Sequence, residues 1–130
     1  MSSNAKNPRT ALWLRDAESD LALASVKKTK KIRYEHLCFH AQQAAEKALK
    51  VVLLSCDVDI PRTHDLAFLV DLLPQTLSLP PSLLLLPVLT KYAVQHRYPG
   101  QELPVNRRDY LKAIGLAQEA VAWAGHVVSA

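Results

Sequence analysis

Apolar residues recur along this chain at intervals of three and four, and each such stretch is closed by proline or by a polar break. That spacing is the signature of amphipathic helices, and no stretch alternates with the period of two that a half-buried strand requires. The first helix is predicted to begin after Asn7, with Asn7 as N-cap and Pro8 in the first helical position. Leu14, Ala17, Leu21 and Ala24 form its apolar stripe, Arg15, Asp16, Glu18 and Asp20 its wet side, and it ends near a lysine run. The second helix is expected from Tyr34 to Ser55. Wound at 100° per residue, it places Leu37, Cys38, Ala41, Ala44, Ala45, Ala48, Leu49 and Val52 on one side. His36, His40, Gln43, Glu46, Lys47 and Lys50 fall on the other. Residues Asp57 to Arg62 form a break, because Pro61 cannot continue a helix.

Thr63 is expected to cap a short third helix that runs to Leu73, with Leu66, Leu69, Val70 and Leu73 facing inward. Residues 74 to 82 form a proline-bearing connection. A fourth helix carries Leu86, Leu89, Tyr92 and Ala93, its first turn accommodating Pro87, and it ends at His96-Arg97-Tyr98-Pro99-Gly100. Asn106 caps the last helix, with Asp109 three residues on. The inner face of that helix is Tyr110, Ala113, Ile114, Ala117, Val121 and Ala124. Short connections favour antiparallel neighbours, so the expected architecture is all-α: an up-and-down antiparallel bundle of four main helices plus one short one.

A length of 130 residues suits one domain, with residues 1–9 as a flexible lead-in. Such a chain can bury roughly two-thirds of its unfolded surface without metal or disulfide. With 49% apolar residues, global disorder is excluded. The only cysteines are Cys38 and Cys56, outside any C-x-x-C pair, which suits a reducing cytoplasm. Met1 to Arg9 is polar and lacks the apolar core of a signal peptide. The run Leu83-Leu84-Leu85-Leu86 lies between Pro81 and Pro87 and is too short to span a bilayer. The net charge of +4 does not by itself mark a nucleic-acid binder. Lys27, Lys28, Lys30, Lys31 and Arg33 nevertheless crowd into seven residues. That run can meet phosphates or complement the C-terminal dipole of the first helix.

The polar side of the second helix aligns imidazole, amide, carboxylate and ammonium groups. Its histidines and glutamine are unusual for a surface chosen for solubility alone. His36 and His40 stand four apart, a spacing that can hold zinc, but no third ligand and no H-E-x-x-H accompany them, so no metal is expected. His64 and Asp65 are expected to serve the start of the third helix. Gly100, Gly115 and Gly125 form no phosphate-cradling loop. Trp13 and Trp123 read as core or interface anchors.

Three segments together carry a family resemblance. They are Cys38-Phe39-His40-Ala41-Gln42-Gln43-Ala44-Ala45-Glu46-Lys47-Ala48-Leu49-Lys50, Pro61-Arg62-Thr63-His64-Asp65-Leu66, and Tyr92-Ala93-Val94-Gln95-His96-Arg97-Tyr98-Pro99. In order and spacing the chain, from about Ala11 to Val127, resembles the HEPN domain, the "higher eukaryotes and prokaryotes nucleotide-binding" family. The resemblance implies an all-α bundle, usually dimeric. It implies a prokaryotic member often encoded beside a minimal nucleotidyltransferase in a toxin–antitoxin-like pair. Some members are proposed to bind nucleotides; others are metal-independent ribonucleases with an Arg-x4–6-His motif. Arg33 is the only arginine here with a histidine at that distance, His40. That pair opens the second helix, whereas the ribonuclease motif lies near a later one, and Glu, Leu and Pro occupy positions 102 to 104 after Arg97. The sequence thus departs from the ribonuclease pattern.

The ligand-binding candidates are His40, Gln43, Lys47, Arg97 and Tyr98, with His36, Glu46 and Lys50 as further members; no catalytic residue is assigned. The leading expectation is a cytoplasmic binding or regulatory module with no cofactor other than a bound nucleotide. Its expected partners are a second copy, a minimal nucleotidyltransferase, and nucleotide or RNA, with no membrane. An RNA-cleaving toxin with an atypical motif and a dimeric scaffold are the alternatives.

Overall fold

Proline and side-chain caps set most helix boundaries, and the computed structural model, which describes residues 8–93 and 104–129, shows how. The described residues form four α-helices and one 3₁₀ helix joined by loops, with no strand among them: α1 (Pro8–Ala24), α2 (Tyr34–Ser55), α3 (Leu66–Leu72), the 3₁₀ helix (Pro81–Ala93) and α4 (Arg107–Ser129). The bundle is all-α, as expected. The anticipated cap Asn7 and the segment His96-Arg97-Tyr98-Pro99-Gly100 lie outside the described residues.

Helix α2 is the central element. Its alanine-rich side is fully buried, and small side chains on α1 (Ala17, Ala24) and α4 (Ala113, Ala117, Ala120, Ala124) are buried with it. Side chains this small let helix backbones approach closely, and Leu49, Val52 and Leu53 fill the remaining core. Trp13, Asp16 and Asp20 of α1 meet Lys50, Lys47 and His40 of α2 in reverse order, so the two helices are antiparallel. Helix α4 starts beside the start of α2: the rings of Tyr34 and Tyr110 lie 5.5 Å apart, and the Tyr110 hydroxyl donates to the Ala24 carbonyl at 2.7 Å. The succession is therefore up, down, up, down, with α3 as the short extra helix.

Two ends are closed by local chemistry. Asn106 Oδ1 accepts from the Asp109 amide at 2.8 Å, and Asp109 Oδ2 accepts from the Asn106 amide at 3.2 Å. This reciprocal cap is worth about 1 kcal/mol. Helix α2 stops in a Schellman turn, with Val58 N–H bonded to Leu53 O (2.9 Å) and Asp57 N–H to Leu54 O (3.2 Å). Asp57 sits at φ 60°, the left-handed conformation that this turn demands. The helix thus ends at Ser55, six residues before Pro61.

Three expectations need correction. The cap of α3 is Asp65, whose carboxylate accepts from Ala67 N (3.0 Å) and Phe68 N (3.4 Å). Thr63 instead turns the chain just before it, accepting from Asp65 N at 3.0 Å. The fourth helix is 3₁₀ rather than α, and Pro87 lies inside it. Its inward row is Leu83, Leu86, Leu89 and Tyr92, an interval of three that matches three residues per turn. Finally, Asp20 is not wet: it is 8% exposed. Among the described residues no helix is long and apolar enough to cross a membrane.

Candidate functional site

The polar residues of α2 form a connected system, most of it covered by α1 and by the loop leading to α3. Glu46 is its deepest acid. Its side chain is 5% exposed and receives three donors: Lys50 Nζ at 2.8 Å, His64 Nδ1 at 2.8 Å and Gln42 Nε2 at 3.1 Å. Lys50 lies one turn along the same helix, itself 8% exposed, with its ammonium 6.0 Å from the Trp13 ring centroid. Gln42, fully buried, also donates to the His64 carbonyl (3.3 Å) and accepts from Gln43 Nε2 (2.7 Å). Burying charges this way is tolerable only because each finds a partner.

A second cluster sits nearer the start of α2. Asp20 of α1 accepts from Lys47 Nζ at 2.6 Å and from His40 Nδ1 at 3.1 Å. Asp16, one turn back on α1, stands 3.8 Å from the same ammonium. The side chains of Lys47 and His40 are part-exposed, so this cluster meets solvent at one edge. His64 is more open still, at 60%.

Both imidazoles are held by a carboxylate through Nδ1. Such a bond requires the proton on Nδ1 when the ring is neutral and leaves Nε2 as an acceptor. The edge of this system therefore offers two oriented imidazole Nε2 atoms, one part-exposed ammonium and the amide of Gln43. In that set the ammonium and the Gln43 amide can hold an oxyanion, while the Nε2 atoms of the neutral rings can accept a proton and donate to an anion only once they have done so.

Of the sequence-derived candidates, the structure brings His40, Gln43, Glu46, Lys47 and Lys50 onto this face. His36 is exposed one turn earlier. Arg97 and Tyr98 lie outside the described residues. Three participants were not anticipated as site residues: Asp20, Gln42 and His64. Asp20 needed knowledge of the α1–α2 register. The signal for His64 was its place beside Asp65, which was assigned to the helix start; only Asp65 caps, and His64 turns back to Glu46.

Cys38 lies on the opposite, buried side of α2. Burial, reinforced by the carboxylates of Asp109 and Glu35, pushes its thiol up from 9.0 to about 12. Tyr92, hydrogen-bonded to it, is likewise raised from 10.0 to about 12, chiefly by burial. A thiol this reluctant to ionise is no nucleophile. Among the described residues no three His, Cys, Asp or Glu side chains are grouped to hold a metal. Two clefts lie away from this face. One, of about 470 Å³, is lined by Arg9, Leu54 and residues 57–60, and the other, of about 380 Å³, by Pro80, Glu119, Ala122, Trp123 and His126.

The family model described as "HEPN domain" matches residues 10–127. The crystal structure of TT1696 from Thermus thermophilus superposes with a TM-score of 0.77 at 29% identity, covering 92% of this chain and 98% of that one. The crystal structure of ST0689, described as an archaeal HEPN homologue, gives 0.71 at 28% identity, covering 92% and 97%. Comparison with curated proteins gives no match.

Proposed function

This chain belongs to the HEPN domain family, and on that footing we propose that it is a binding and regulatory module. It holds a nucleotide or another phosphate-bearing ligand on the polar face of α2, and it pairs with a minimal nucleotidyltransferase in a toxin–antitoxin-like system. The observation that carries the reading is the pair of carboxylate-anchored clusters on α2, which present His40, Lys47 and Gln43 at a solvent edge. Asp20 fixes Lys47 and His40 before any ligand arrives, which lowers the ordering cost of binding. Arg97 and Tyr98 complete the proposed site, as a guanidinium for phosphate and a ring for a base. The protein acts in the cytoplasm as a homodimer. Leu84, Leu85 and Val88, exposed by 63%, 53% and 41%, are apolar groups that association would cover.

The test is calorimetry with ATP, other nucleotides and the candidate nucleotidyltransferase, on wild type, Lys47→Ala and Arg97→Ala. A charge-assisted hydrogen bond is worth roughly 1.5–3 kcal/mol, so each variant should bind about tenfold to a hundredfold more weakly. Added salt should weaken binding further. Unchanged affinity in both folded variants would remove the site. A second reading, metal-independent RNA cleavage, is favoured by the same carboxylate-backed imidazoles. RNA cut in the presence of a chelator by wild type, but not by His40→Ala, would put it in place of the first. If wild type neither binds nor cleaves, a dimeric scaffold remains.

A further inference from the structure

Charge on this molecule is unevenly distributed, with most of its cations gathered at one end. Lys27, Lys28, Lys30 and Lys31 are exposed in the connection between α1 and α2, and Arg33 is the N-cap of α2. Arg107 and Arg108 are the first two residues of α4, and Lys112 follows one turn later, all exposed. The fold gathers these segments at one place. Tyr110 bonds the last carbonyl of α1 at 2.7 Å and stacks near Tyr34 at 5.5 Å, and Lys28 Nζ stands 4.8 Å from the Tyr34 ring centroid. Lys91 joins them, because its neighbour Tyr92 lies against Cys38 and near Asp109.

Among the described residues this end carries nine cations and two carboxylates, Glu35 and Asp109. Glu35 pairs with Arg33 at 3.5 Å, and Asp109 is occupied by the cap of α4. The other described residues hold five cations and nine carboxylates, so the formal balance is +7 at this end and −4 elsewhere. The modest net charge of +4 conceals this separation.

Helix stability does not explain the arrangement. Lysines after α1 suit its C-terminal dipole, but Arg33, Arg107 and Arg108 stand at helix N-termini, where the dipole disfavours cations. Arg33 makes no side-chain capping bond. Because α2 and α4 start side by side, their positive ends add to the same field.

We propose that this end of the bundle docks the phosphate backbone of a nucleic-acid strand, through charge and without reading bases. The surface lies at the end where α2 and α4 start, whereas the Glu46 and Asp20 clusters lie further along α2, and it does not depend on a ligand there. The tyrosines here, Tyr34, Tyr92 and Tyr110, are turned into the fold rather than outward as interfacial anchors, which disfavours a membrane, and the exposed Leu23, Val26 and Leu111 at the same end make vesicle binding the competing outcome of the test.

The experiment uses the full chain and fluorescence anisotropy with a labelled mixed-sequence single-stranded 20-mer, as RNA and as DNA, over a salt series. Both strands should bind within about threefold of each other. With four phosphates engaged, the log–log salt slope should be about −3. The paired variants Lys28→Glu/Lys31→Glu and Arg107→Glu/Arg108→Glu should each bind at least tenfold more weakly and with a shallower slope. The second pair should keep or raise its melting temperature, since acids at a helix N-terminus are favourable, so lost binding is not lost folding. Absent binding by wild type, unchanged binding in both pairs, binding of RNA alone, or tighter binding to phosphatidylglycerol vesicles than to either strand would each overturn the proposal.

Discussion

Replacing Glu46 with alanine is expected to destabilise the protein by about 3–5 kcal/mol, as measured by urea denaturation. The acid is buried and takes Lys50, His64 and Gln42 as donors. Without it the Lys50 ammonium, whose side chain is 8% exposed, is left in the interior with the Trp13 ring as its nearest compensation. That is the costly half of a buried ion pair. Removing both charges, as in Glu46→Leu/Lys50→Met, should cost far less than the single change, because no uncompensated group remains. A Glu46→Ala protein within 1 kcal/mol of wild type would show that the pair contributes only as an exposed one does.

Alkaline pH should unfold the protein through Cys38 and Tyr92. The Cys38 thiol ionises at 9.0 ordinarily and at about 12 in the fold. Below the lower value both states hold the proton, and stability is at its full level. Between the two, the unfolded chain has released a proton that the native state retains, so each pH unit in that window removes about 1.4 kcal/mol. Tyr92 adds a second loss, from 10.0 towards about 12. Denaturation midpoints should therefore fall steadily from about pH 9 to 11, with a shallower fall in Cys38→Ala, which isolates the thiol from lysine titration. A profile that is flat over this window in wild type would contradict the buried thiol.

The parts of the fold governed by nearby residues were readable from sequence. The range Tyr34–Ser55, the alanine face of α2, and Asn106 as a cap all depend on residues within a few positions of each other. The fourth helix is the exception among the local elements: Leu86, Leu89, Tyr92 and Ala93 suit an α stripe as well, and only the structure, with Leu83 at the head of the buried row, settles on a period of three. What could not be read was pairing across the chain. The side of α2 that looked solvated is covered because Asp20, twenty residues earlier than His40, and His64, eighteen later than Glu46, supply its partners. Thr63 and Asp65 are both competent caps, and only the turn that Thr63 makes decides for Asp65. Of the eight candidate ligand residues, the six on α2 were found by helical geometry; Arg97 and Tyr98 rest on the family resemblance.

The thirteen-residue 3₁₀ helix has little cooperative reserve. Its hydrogen bonds are poorly aligned, Pro87 contributes no donor, and its outer face is wet, so its order leans on a single row of buried side chains. Segments of this kind open locally, exchanging their amides with solvent while the central helix stays intact. The element that carries the exposed Leu84, Leu85 and Val88 is thus also the one whose backbone is least secured by its own hydrogen bonds.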